Sequence, residues 1–189
     1  AEEQFQLVIS LDTRETMRLP APLTKIQVAC WLAEAIAWIA LRSNDDVVLH
    51  RLFGPEQDSI SERLRGSGSM SRIRDALEQI VQTVDMSAKA NLDVLIPRLP
   101  PATVWIILTD FYYPVEDPST DPVGSEARRL VERIAAAQDG LRWVILVDLD
   151  SWPLEKSLLF TGGTGYWLVD GPGVGLEVRR TQTIDAEDI

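Results

Sequence analysis

Asp12 and Asp110 are the residues best placed to do chemistry. Each is the first acid after an apolar run that reads as a buried strand, Phe5 to Leu11 before Asp12 and Val104 to Thr109 before Asp110. Loops at the carboxyl ends of parallel strands form the binding crevice of an α/β sheet. Two carboxylates there suit a cation site, an acid pair or a salt-bridged remnant of one. Arg14 lies two residues beyond Asp12 and brings a positive charge with donors only.

The elements that position these acids follow from hydrophobic periodicity. Strands are predicted over 5–11, 47–53, 103–110 and 143–149, with a short edge strand within 56–65. A helix over 24–42, with Thr24 as N-cap, is apolar nearly all round and should be among the most buried. Within it Trp31 and Trp38 are seven apart, share a face and read as core, as do Trp105 and Trp143 in the strands. An amphipathic helix spans 69–84 and a shorter one 88–99. A proline- and acid-rich loop over 112–124 precedes a helix over 125–138, with Ala127, Leu130, Val131, Ile134 and Ala135 inward. A short helix over 153–160 and two short strands, 166–169 and 175–179, close the order. Helices alternating with near-continuous apolar strands imply a doubly wound α/β domain, with a mainly parallel sheet covered on both faces.

Composition narrows the function. The 189 residues are 46% hydrophobic and 25% charged, as expected of one soluble domain. A net charge of -11 argues against nucleic acid and against an anionic membrane surface. The longest apolar stretch, 26–41, falls short of the roughly 20 residues of a span, so no membrane insertion is expected. Cys30 is the only cysteine and sits in an apolar helix, where a buried thiol is expected. His50 is the only histidine, too little for a zinc site. Gly66-Ser67-Gly68-Ser69-Met70 lacks the Lys of a nucleotide loop, so it reads as a loop with a helix cap. Tyr112 and Tyr113 stand beside Asp110 as a candidate recognition edge, or as packing for their loop.

Asp12-Thr13-Arg14-Glu15-Thr16-Met17 resembles the D-x-S-x-S-M adhesion motif of von Willebrand factor A domains, and Leu108-Thr109-Asp110-Phe111 resembles their late T/S-D motif. The turn Asn44-Asp45-Asp46-Val47 is similar to the family's G-D-x-V. More narrowly, the chain resembles the prokaryotic von Willebrand A-like family called "domain of unknown function fifty-eight". The features carrying this are Lys25 at the helix start, Ala37-Trp38-Ile39-Ala40-Leu41, an acid-rich stretch after Asp110-Phe111, and Asp150-Ser151-Trp152-Pro153-Leu154-Glu155. The resemblance spans essentially the whole chain. It implies a first strand beside the fourth and a metal-ion-dependent adhesion site holding magnesium or manganese. It also implies a protein partner, with a MoxR-type AAA+ ATPase as the associated candidate.

The chain departs from that pattern at the ligands. A hard dication takes about six oxygen donors. The resemblance assigns Asp12, Thr16, Ser87 and Asp110 to the metal, but Arg14 stands where the first serine would be, and Lys89 adds a cation near Ser87. A guanidinium about 4 Å from a carboxylate gains roughly 4 kcal/mol at an effective dielectric near 20, before desolvation. Internal neutralisation and a degenerate, metal-free site are therefore expected. A rival reading, the D-x-D-x-T opening of haloacid-dehalogenase-like phosphatases, fails at Arg14 after Asp12 and at Trp152 after Asp150.

The expectation is a cytoplasmic bacterial domain of the von Willebrand A-like, Rossmann-like class, with one antiparallel edge strand. It is expected to be a fragment of a longer chain, without enzymatic activity or cofactor, and to bind a protein partner through Asp12, Arg14, Thr16, Asp110, Tyr112 and Tyr113. The alternatives are a working magnesium or manganese adhesion site and an aspartate-dependent phosphatase.

Overall fold

A computed structural model describes residues 5–20, 22–55, 59–84, 90–111, 125–151, 164–170 and 176–182, the first four of 125–151 and the last two ranges by backbone only. Five strands form one sheet: β1 (Gln6–Leu11), β2 (Asp46–Arg51), β3 (Leu64–Arg65), β4 (Thr103–Thr109) and β5 (Arg142–Asp148). Their order is β3-β2-β1-β4-β5. β1 pairs in parallel with both β2 and β4, and β4 with β5, while the two-residue β3 runs antiparallel to β2 at one edge. The result is an α/β, Rossmann-like sheet with one antiparallel edge strand. The last two strands, β6 (Thr164–Asp170) and β7 (Leu176–Gln182), form a separate antiparallel pair.

Apolar strands buried on both faces explain the parallel arrangement. Leu7, Ile9 and Leu11 of β1 enter one core, and Val8 enters the other. The first core is closed by α1 (Lys25–Arg42) and α2 (Met70–Gln82), the second by the short α3 (Leu92–Leu95) and by α4 (Ser125–Ala137). Thr24 caps α1 through a reciprocal box with Gln27, satisfying donors that the first turn leaves without partners. No helix among the described residues is long and apolar enough to cross a membrane.

Several expectations need correcting. α1 is not buried all round. Its inner face is Ile26, Ala29, Cys30, Ala33, Ala37, Ala40 and Leu41, while Trp31 and Trp38 point outward, 60% and 43% exposed. Small alanines let the helix lie close to the sheet, so the indoles are left outside. Trp105 is fully buried, but Trp143 lies on edge strand β5 and is 70% exposed. In α4 the inward residues are Leu130, Ile134 and Ala137, with Val131 and Ala135 exposed. The helix predicted over 88–99 is shorter where described, beginning at Leu92 and ending in a 3-10 turn. The helix predicted over 153–160 and the loop 112–124 lie outside the described residues.

Candidate functional site

The strand order reverses at β1. The chain leaves β1 through α1 toward β2, and later returns to β4 on the other side of β1. Such a switch point opens a crevice at the carboxyl ends of the two strands. Asp12 follows β1 and Asp110 follows β4, so this topology delivers the two acids to that crevice. The backbone reinforces the placement, since Asp12 N–H donates to the Leu108 carbonyl at 3.0 Å.

Arg14 turns back onto Asp12. Its Nη2 lies 2.6 Å from Asp12 Oδ2, its Nε is 3.1 Å from Oδ1 and 3.2 Å from Oδ2, and its backbone N–H donates to Oδ1 at 3.0 Å. Thr109 Oγ1 donates to Asp12 Oδ2 at 2.7 Å and accepts from the Phe111 N–H at 3.1 Å. The guanidinium also covers the Phe53 ring, 4.2 Å from its centroid. Planarity lets one group do both, offering its edge to the carboxylate and its face to the aromatic. Asp12, Thr109 and Phe53 are fully buried, and Arg14 is nearly so.

Asp110 is neutralised from two directions. Lys25 Nζ lies 2.9 Å from Oδ2, and Arg14 Nη2 lies 3.8 Å from Oδ1. Lys25 is the first residue of α1, so helix entry and the second acid are held together. Phe111, immediately after Asp110, has φ of 48°. That is a left-handed conformation disfavoured for a bulky residue, and it marks a backbone held by its surroundings. Thr16 lies in the following 3-10 turn, Glu15–Arg18, and its buried Oγ1 has no hydrogen-bond partner among the described residues. At the end of that turn Arg18 donates to the carbonyls of Val81 and Thr83, closing the C-terminus of α2.

The structure therefore brings Asp12, Arg14 and Asp110 into one buried cluster and places Thr16 in the same loop. Ser87, Lys89, Tyr112 and Tyr113 lie outside the described residues. Sequence reasoning missed Phe53 and the role of Thr109, and it noted Lys25 only as a helix-opening residue. The signal for Lys25 was its position beside the Thr24 cap, which fixes it at the sheet's carboxyl edge. The two carboxylates are held by the chain's own side-chain cations. Every oxygen of Asp12 is already engaged by Arg14 or Thr109, and two positive side chains stand against the two acids. Among the described residues no group of three or more His, Cys, Asp or Glu is arranged to hold a metal ion.

Two further polar features lie apart from this cluster. Ser10 and His50 are registered side by side on β1 and β2, with Ser10 Oγ 2.8 Å from His50 Nδ1. Trp105 Nε1 donates to the same Ser10 Oγ at 2.7 Å. All three are fully buried, so this is an internal polar tie rather than a nucleophile open to substrate. Burial pushes His50 down to about 3, opposed by the nearby Asn91 backbone and helped by the charge of Arg51. On the outer surface Trp31, Glu34, Ala35 and Trp38 of α1 with Met70 and Arg74 of α2 line a cleft of about 340 Å³. Arg74 Nε lies 2.6 Å from Glu34 Oε1 across it.

Neither a protein-family model nor a curated protein matches the chain.

Proposed function

We propose that the protein is a non-catalytic protein-interaction module of von Willebrand A-like type, whose adhesion site has exchanged its metal for side-chain cations. The observation that carries this reading is the seating of Arg14, forked onto Asp12 and 3.8 Å from Asp110 in a buried switch-point crevice. A guanidinium in that position supplies positive charge and fixed donors where the adhesion motif would use a dication. Lys25 on Asp110 supports the same reading. With both carboxylates held by side-chain cations, the site offers neither an open nucleophile nor an open general base, which weighs against the phosphatase alternative. The partner class that the resemblance implies is a MoxR-type AAA+ ATPase, met in the cytoplasm at the carboxyl edge of the sheet.

The test is binding without metal. Immobilised protein is exposed to a MoxR-type AAA+ ATPase free of nucleotide, in chelator and then in magnesium. Equal affinity in both supports the proposal, whereas binding only in magnesium would return the site to metal chemistry. No binding in either removes this partner class.

One observation favours the metal-dependent alternative. Thr16 Oγ1 is buried without a hydrogen-bond partner among the described residues, and it is the hydroxyl the motif would assign to the cation. Magnesium or manganese titrated into the protein decides the matter: binding heat together with a raised melting temperature would establish this alternative.

A further inference from the structure

We propose that the outer edge of β5 binds a second copy of this chain, strand against strand and antiparallel. β5 is seven residues long and ends the five-stranded sheet; among the described residues β4 is the only strand that pairs with it, and its first residue, Arg142, bridges back to Asp139. An edge strand presents a row of backbone donors and acceptors to any strand that approaches. Such edges are ordinarily blunted by lysine, proline or a bulge. The interior of β5, Trp143-Val144-Ile145-Leu146-Val147, has none of these and is wholly apolar. Three of these side chains are also uncovered, Trp143 at 70%, Ile145 at 43% and Leu146 at 46%, with Leu141 exposed just before the strand, while Val144 and Val147 pack against the two cores. Apolar surface gathered on an open edge marks an interaction site.

Charge specifies the occupant. β5 has a cation at its first residue, Arg142, and an acid at its last, Asp148. An antiparallel pair centred on Ile145 sets Arg142 of each copy opposite Asp148 of the other. It sets Trp143 opposite Val147, Val144 opposite Leu146, and Ile145 opposite itself. Residues directly opposite in an antiparallel pair share a face, so both charge pairs close while the apolar side chains meet between them. The arrangement is self-complementary, as a two-fold interface requires. Parallel self-pairing in the same register would instead oppose like charges at both ends.

The experiment uses the full chain, with sedimentation equilibrium as the readout. The wild type is expected to be a dimer. Arg142→Asp and Asp148→Arg should each raise the dissociation constant about tenfold or more, because each turns both end contacts repulsive. Mixed in equal amounts, the two variants should form a heterodimer, since every contact is again between opposite charges. The double variant should recover the homodimer, which guards against a folding defect in Arg142→Asp, whose arginine also contacts Asp139 and the Pro100 carbonyl. A monomeric wild type overturns the proposal. If its β5 amides then exchange slowly, the edge is covered within the same chain. Single variants that dimerise like wild type, or a mixture that stays monomeric, overturn it equally.

Discussion

Arg14 grips Asp12 with three hydrogen bonds from its side chain and one from its own backbone, two residues along the same loop. The contact is local in sequence, yet it is made in the interior, where neither partner has water to fall back on. Removing one member of a buried pair leaves an uncompensated charge and costs more than the pair itself contributes.

Arg14→Ala should therefore destabilise the protein by about 3 to 5 kcal/mol, measured by urea unfolding at neutral pH and low salt. Asp12 and Asp110 would face each other with Lys25 as the nearest cation in the cluster. A variant as stable as the wild type would show that the guanidinium contributes nothing to the neutralisation of these acids.

Arg14→Ser should behave differently. It removes the cation and restores a hydroxyl beside Asp12 and Thr16, so magnesium or manganese should raise its melting temperature while leaving the wild type unchanged. Calorimetry on both proteins checks this. Equal metal responses in variant and wild type would mean that Arg14 does not control occupancy.

His50 makes stability depend on pH. Its folded value is pushed by burial to about 3, from an ordinary 6.5. Between these values the unfolded chain binds the extra proton and the native state does not, so stability rises with pH. The contribution is complete above about pH 6.5 and is lost as pH falls toward 3. The limiting slope is about 1.4 kcal/mol per pH unit, and the loss from about pH 6.5 to about pH 5 is near 1.5 kcal/mol. Urea midpoints for the wild type and His50→Gln should diverge in that range, the variant showing the flatter profile. Parallel profiles would remove His50 as the source.

Cys30 is pushed up to about 12 by burial between α1 and α2. Its thiol stays protonated at neutral pH, and only the thiolate is nucleophilic. Aromatic disulfide reagents should react with it only as fast as the two helices open, and at the rate of a free thiol in urea. Rapid labelling of native protein would contradict this packing.

Much of this was legible in sequence, for identifiable reasons. Apolar runs ending in acids located β1 and β4, the alternation of strands and helices implied a parallel sheet, and the adjacency of these two strands was an expectation of the resemblance alone. The charge of Arg14 was readable because it lies two residues from Asp12. The errors concern neighbours that local pattern does not encode. A helix apolar on every side has no marked outward face, and only the alanines of α1, packed against the sheet, turned Trp31 and Trp38 to solvent. Trp143 alternates as a core residue would, but its exposure follows from the place of β5 at the edge. Phe53 and Thr109 join the cluster through tertiary placement, since neither residue type announces a partnership with a guanidinium or a buried acid.

The bond from Thr109 to Asp12 also bears on how the sheet assembles. β1 and β4 are far apart in the chain, so their pairing closes a long loop and is intrinsically slow. A slip of one residue would turn Thr109 to the opposite face, set Leu108 or Asp110 in its place against Asp12, and carry Asp110 away from its native seat beside Arg14 and Lys25. Only the native register closes all of these contacts together. The charged cluster thus acts as a latch, giving the central strand pair a polar criterion of correct alignment that its apolar side chains alone do not supply.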